Sequence, residues 1–134
     1  MAALDTNVLV RFLIQDDARQ GYQARQLVRA ALMRGESWFV PVTVLLELEW
    51  VLRSNFDFPK DQIVFTLSSL LAAKELVFES EASAEVALEL FRQNKADFAD
   101  CIHVALAHAA GEAPLWTFDK TAAKLEGAKL AKAE

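Results

Sequence analysis

A strand followed directly by a helix is predicted for residues 38–53, WFVPVTVLLELEWVLR. Trp38-Phe39-Val40 is aromatic and β-branched, and Pro41 ends the strand because proline has no backbone N–H to donate. Thr43 is a suitable N-cap for a helix from Val44 to Arg53. The strand lacks polar alternation, as expected where both faces of a sheet are covered. The stretch therefore predicts one strand-helix unit of a layered α/β protein.

On both sides of residues 38–53, short apolar runs alternate with segments whose apolar residues have helical spacing. Further strands are predicted at Ala2 to Leu4, Leu76-Val77-Phe78 and Leu115-Trp116-Thr117-Phe118. The segments with helical period are Val8 to Ile14, Ala18 to Met33, Pro59 to Leu71, Glu81 to Gln93, Phe98 to Ala110 and a final turn at Thr121 to Leu125. This order predicts an α/β sandwich with a mainly parallel central sheet of four to five short strands. Without repeats or linkers, we expect one domain over residues 1–134.

Composition excludes several classes of protein. The 134 residues are 54% hydrophobic and include only four glycines and three prolines, which excludes disordered and low-complexity chains. No apolar run approaches the roughly 18 residues of a membrane helix. The N-terminal residues lack a secretion signal, and the single cysteine, Cys101, cannot form an intrachain disulfide. Both features favour the reducing cytoplasm.

Aspartates follow two of the predicted strands. Asp5 and Asp119 each come directly after a strand and before a helix. The carboxyl ends of parallel strands are where sites form in such sheets, although an aspartate there also caps the following helix. Asp97 and Asp100 are three residues apart at the head of a helix, where they repel each other unless a cation or the helix dipole offsets the charge.

Two glutamates of the helix after Pro41 are predicted to differ. Glu49 has Arg53 four residues later, and we expect an ordinary exposed pair. Glu47 lies on the stripe of Val44 and Val51, where a carboxylate is costly unless it is paired or metal-bound. The alternative for Glu47 is a place at the edge of that stripe, near solvent.

The donor set favours a hard metal ion. The acids supply oxygen ligands, whereas two histidines and one thiol are too few for a zinc cage of the Cys/His kind. Carboxylate clusters select Mg²⁺ or Mn²⁺, which support phosphodiester hydrolysis, and clustering predicts raised carboxylate pKa values. We expect His103 to be packed, His108 to be at the surface and Cys101 to fill the core.

The four acidic segments resemble the motifs of a known family. Leu4-Asp5-Thr6-Asn7-Val8-Leu9-Val10-Arg11 resembles the start of PIN-domain ribonucleases, particularly the VapC-type toxins of bacterial toxin–antitoxin pairs. Pro41 through Arg53, Asp97-Phe98-Ala99-Asp100 and Trp116-Thr117-Phe118-Asp119 resemble the second, third and fourth motifs. The resemblance covers nearly the whole chain, and the order of the four motifs is more specific than any one of them.

The resemblance implies endonucleolytic cleavage of RNA that depends on Mg²⁺ or Mn²⁺. The catalytic acids fall on Asp5, Glu47, Asp100 and Asp119, and the metal ligands on Asp5, Asp97, Asp100 and Asp119. Residues expected to support those acids are Thr6, Asn7, Thr117 and His103. His103 departs from the family, which has an apolar residue there. Weaker candidates for phosphate contacts are Arg11, Arg53 and Lys120, each of which is also explained as a solvated charge.

The resemblance also implies partners. A cognate VapB-like antitoxin would cover the acidic site, often with a basic side chain, and a homodimer is expected. Phe56, Phe58, Trp50 and Phe65 are candidates for such interfaces, although we expect core packing for most of them. Two other functions are open: a Mg²⁺-dependent phosphohydrolase of a small phosphoester, and a non-catalytic binding module.

Net charge alone argues against RNA, because the chain has 14 basic and 19 acidic residues. If five of those acids form a metal site, the remaining surface is neutral. Composition is therefore compatible with an RNA substrate.

Overall fold

The computed structural model describes residues 2–14 and 16–132. Contacts divide the chain into two compact units, Met1–Glu79 and Ser80–Glu134, and each unit is described by itself. The predicted α/β class is confirmed, with six helices and five short parallel strands in the part of the chain described. One domain over residues 1–134 stays a prediction.

The first unit contains a three-stranded parallel sheet. Its strands are β1 (Ala2–Ala3), β2 (Trp38–Val40) and β3 (Leu76–Phe78), and β2 is central. In the β2 to β3 register, Phe39 is opposite Val77. The pairing continues past β1, where the Leu4 N–H donates to the Phe39 carbonyl at 2.9 Å. The sheet therefore fixes the position of the segment that follows β1.

Four helices complete this unit: α1 (Thr6–Leu13), α2 (Ala18–Met33), α3 (Val42–Asn55) and α4 (Lys60–Leu71). The bounds of α2 are those predicted, but the N-cap expected at Thr43 is wrong. Helix α3 begins directly after Pro41, because the Glu79 carboxylate accepts the Val42 N–H at 2.9 Å. The core side chains, which are almost fully buried, are Leu9, Val28, Leu45, Leu48, Leu52, Ile63 and Leu67. Each such side chain stabilises the fold by roughly 1.5–3 kcal/mol.

The second unit contains two long helices and a two-stranded sheet. Helices α5 (Glu81–Gln93) and α6 (Phe98–Ala109) pack together through an edge-to-face contact of Phe91 with Phe98, at 5.5 Å between ring centroids. Strands β4 (Leu115–Thr117) and β5 (Ala128–Leu130) are parallel and joined by a 3-10 turn, Ala122–Lys124.

Strand β5 was not among the four predicted, because its sequence Ala128-Lys129-Leu130 has a charged residue at the centre and forms no continuous apolar run. Gly127 precedes it with φ of +94°, and a Cβ there would lie 3.1 Å from Val104. The turn into β5 therefore favours glycine.

Among the described residues, no helix is both long and apolar enough to cross a bilayer.

Candidate functional site

Asp5 lies at the end of the β1 segment and begins the next helix. Its Oδ1 accepts the Thr6 N–H at 2.7 Å, and its carbonyl accepts the Val8 N–H at 3.2 Å. Asp5 is therefore the N-cap of α1, as the capping interpretation predicted. Because the residue is also exposed, its carboxylate is accessible from solvent as well.

Thr6 connects the first acidic segment with the second. It is only 4% exposed, and its hydroxyl donates a short hydrogen bond to Oε1 of Glu47 on α3. Glu47 itself is exposed, so its place is at the edge of the apolar stripe. The first unit thus holds Glu47 against the residue that follows Asp5.

The prediction that Glu49 is exposed is wrong. Glu49 is 2% exposed, because it shares the inner stripe of α3 with Leu45 and Leu52. The predicted pair does form, with Nε of Arg53 2.9 Å from Oε2 of Glu49. Arg53 is a candidate for phosphate contact. It forms an ion pair with this buried carboxylate, although its own side chain is 48% exposed.

Three acids of the second unit influence one another. Asp97 is the N-cap of α6, and Asp100 lies in the first turn of that helix. Burial raises the pKa of Asp100, and the nearby charges of Asp119 and Asp97 raise it further, whereas His103 lowers it. The predicted rise in carboxylate pKa is therefore confirmed at Asp100.

Asp119 follows β4 and holds the turn after it. Its Oδ1 accepts the N–H groups of Thr121 and Ala122 at 2.8 and 2.9 Å. Its own N–H donates to Oγ1 of Thr117 at 3.0 Å. Thr117 thus fixes the backbone that carries this exposed carboxylate.

His103 is exposed, so the prediction of a packed histidine is wrong. The inner side of α6 is occupied instead by Phe98, Cys101 and Ile102. Cys101 is buried and His108 is exposed, as predicted.

A pocket of about 480 Å³ opens between α1 and α2. Arg11 lines it and pairs with Asp16 at 2.8 Å. Asn7, expected to support the acids, also lines this pocket, whereas Lys120 is simply exposed. Sequence reasoning missed the pocket because it depends on how two helices pack, which no local motif encodes.

Over residues 2–14 and 16–132, neither unit groups three or more His, Cys, Asp or Glu side chains closely enough to hold a metal ion. The candidate donors are nevertheless all carboxylate oxygens, and Asp100 lies within electrostatic reach of two other acids. That donor chemistry fits a hard divalent cation.

Comparison with known proteins shows the family. The model of the PIN domain family matches residues 2–128, so the chain belongs to the PIN domain family. The chain is also similar to a curated protein named VapC ribonuclease from Aquifex aeolicus (strain VF5). The two are 25% identical over 125 residues, which is 93% of this chain and 92% of the relative.

Proposed function

We propose that the protein is a metal-dependent endoribonuclease, with Asp5, Glu47, Asp100 and Asp119 as its catalytic acids. The observations that carry the proposal are the hydrogen bond that joins Thr6 to Glu47 and the placement of Asp100 near Asp119 and Asp97, where burial first, and then those two charges, raise its pKa. Like-charged carboxylates held near one another cost stability that a bound cation offsets. Membership of the PIN domain family and similarity to a protein named VapC ribonuclease support RNA as the substrate.

In this proposal Asp5, Asp97, Asp100 and Asp119 would hold Mg²⁺ or Mn²⁺. Such an ion, when bound, polarises a scissile phosphate and lowers the pKa of a water molecule. The protein's own contribution is to orient the acids. Thr6 directs Glu47, which can accept the proton of the attacking water, and Thr117 fixes the backbone of Asp119.

The test is cleavage of total RNA with Mn²⁺, comparing the parent protein with Asp5→Asn and mapping the 5′ ends. Asparagine caps helices about as well as aspartate, so this variant removes the charge but keeps the cap. We expect cleavage by the parent and none by Asp5→Asn. Equal rates would contradict the assignment of Asp5.

Small phosphate esters are assayed in parallel with the RNA. Hydrolysis of those esters without cleavage of RNA would favour a phosphohydrolase of small molecules. A non-catalytic module is the outcome if Mn²⁺ neither supports cleavage nor shifts thermal unfolding, since a ligand of the folded state must stabilise it.

A role as the toxin of a VapBC-type pair is the finer part of the proposal, together with action in the cytoplasm and inhibition by a VapB-like antitoxin. The support is the name of the curated relative. Expression of the parent in a bacterial host should arrest growth, and expression of Asp5→Asn should not. If both proteins arrest growth, toxicity does not depend on RNA cleavage, and this result would contradict the proposed role.

A homodimer is also proposed. Core packing was expected for most of four aromatic residues, and Phe56 and Phe58 are indeed half-buried. Trp50 and Phe65, however, are 53% and 73% exposed, which makes them candidates for a subunit interface. Light scattering at micromolar concentration should give twice the chain mass, and Phe65→Glu should reduce it. A monomeric mass for the parent would contradict the dimer.

A further inference from the structure

The pocket between α1 and α2 has the size and lining of a small-molecule site. Its volume of about 480 Å³ lies within the roughly 300–1,000 Å³ of such sites. Apolar groups form part of the wall, and polar groups converge on it. The lining residues are Asn7, Val8, Arg11, Gln20, Gln23, Ala24 and Leu27.

The pocket begins in the helical turn that Asp5 caps. Asn7 and Val8 belong to that turn, and the Val8 N–H donates to the carbonyl of Asp5 at 3.2 Å. Thr6, in the same turn, holds Glu47. A ligand that contacts this helical turn beside Asp5 would therefore also meet the wall of the pocket at Asn7 and Val8.

The polar lining suits the edge of a nucleobase. Asn7, Gln20 and Gln23 each carry an amide, which offers a donor and an acceptor side by side. Single-stranded RNA is recognised through hydrogen bonds to base edges, and a glutamine amide can pair with a base through two such bonds. The apolar wall from Val8, Ala24 and Leu27 can cover the faces of a flat ring.

The charge of α2 favours a polyanion. Helix α2 contains three arginines and no aspartate or glutamate, although the whole chain has a net charge of −5. Arginine side chains attract phosphate groups irrespective of base sequence. The helix that forms one wall of the pocket is therefore a basic segment in an acidic protein.

We propose that the pocket receives one nucleobase of a single-stranded RNA substrate, and that Gln20 and Gln23 set the sequence preference of cleavage. This inference rests on the proposed ribonuclease function and adds the group that selects the cleaved sequence. Gln20 and Gln23 do not take part in the chemical step. Removing their amides should therefore change which bonds are cut, while cleavage itself continues.

The experiment uses a pool of single-stranded RNA of randomised sequence, cleaved with Mn²⁺ and mapped at its 5′ ends. The double variant Gln20→Ala/Gln23→Ala is compared with the parent and with Gln26→Ala. Gln26 is an exposed glutamine of the same helix outside the pocket lining. The parent should prefer one base near the cleaved bond by roughly fivefold to a hundredfold. The double variant should lose that preference, and Gln26→Ala should keep it.

The variants are chosen so that the fold survives. Alanine is the best helix former, and the cap bond at Gln20 uses its backbone N–H, which donates to Asp17 at 2.9 Å. Thermal unfolding of each variant verifies this. Gln23→Glu, which keeps the side-chain size but loses the amide donor, should shift preference toward bases with amino groups.

The outcomes separate the two proposals. Metal-dependent cleavage with an unchanged base profile in the double variant and in Gln23→Glu overturns the nucleobase pocket, while the ribonuclease function stands. Absence of cleavage by the parent contradicts the ribonuclease function itself.

Discussion

The acids of the two units are held in different ways. In the first unit, Asp5 and Glu47 both accept hydrogen bonds from Thr6, one from its N–H and one from its hydroxyl. In the second unit, Asp100 lies near Asp119 and Asp97, and its pKa is raised by burial and further by those two charges. The first arrangement orients carboxylates, and the second concentrates negative charge. Substitutions in the two units should therefore have different effects.

The largest effect is expected from Asp100→Asn. Removing this charge should lower the rate of RNA cleavage by about 100-fold or more, the scale of the transition-state stabilisation that a bound metal ion supplies. The measurement is the initial rate of cleavage of an RNA oligonucleotide at saturating Mn²⁺. Glu112→Gln removes an exposed acid of the same unit and serves as the control. Equal rates for both variants would mean that Asp100 is an ordinary surface charge.

The pair of buried Glu49 with the half-exposed side chain of Arg53 predicts a large effect on stability alone. Arg53→Ala leaves the buried carboxylate of Glu49 without this cation and should lower the free energy of unfolding by about 3 kcal/mol. Arg92→Ala breaks the exposed pair with Glu89 and should cost much less stability than Arg53→Ala. Urea unfolding measures both values. A similar loss in the two variants would show that burial of Glu49 does not matter.

Thr6→Val tests how far orientation matters in the first unit. The variant keeps the shape of the side chain but removes the hydroxyl that Glu47 accepts, so kcat should fall roughly tenfold, the scale of one charge-assisted hydrogen bond. Thr6→Ser should restore kcat, because serine supplies the same donor. If KM changes while kcat does not, Thr6 positions the substrate rather than Glu47.

The smallest effect concerns the stability of the metal-free protein. Because the folded-state pKa of Asp100 lies above the usual 3.8, its ionised form disfavours folding at neutral pH. That cost fades as pH falls through the raised pKa and is absent below 3.8. In EDTA, Asp100→Asn should therefore be more stable than the parent at pH 7, by less than about 1 kcal/mol because solvent screens the charge. The difference should vanish in acid, and a loss of stability at pH 7 would contradict it.

Local signals in the sequence predicted most of the secondary structure. The helical spacing of apolar residues predicted the bounds of α2 and α5, and Pro41 predicted the boundary between β2 and α3. The N-cap of α3 was misplaced because the group that caps it, Glu79, is 37 residues away from Val42. Contacts between distant residues leave no local pattern.

The same reason explains the errors in the candidate site. Glu47 and Glu49 are two residues apart, so they lie on nearly opposite sides of a helix, and periodicity predicts that their burial differs. Which of them is buried depends on the neighbours of α3, and the sequence suggested the wrong one. The exposure of His103 and the pocket of α1 and α2 are likewise consequences of packing.

The burial of Cys101 makes the thiol a reporter for the second unit. A thiol reagent can reach this side chain only when α6 opens, so the labelling rate measures the free energy of that local opening. Asp97 and Asp100 lie at the head of the same helix. A divalent cation held by those acids should slow the labelling, and this would reveal binding of the ion without any measurement of RNA cleavage.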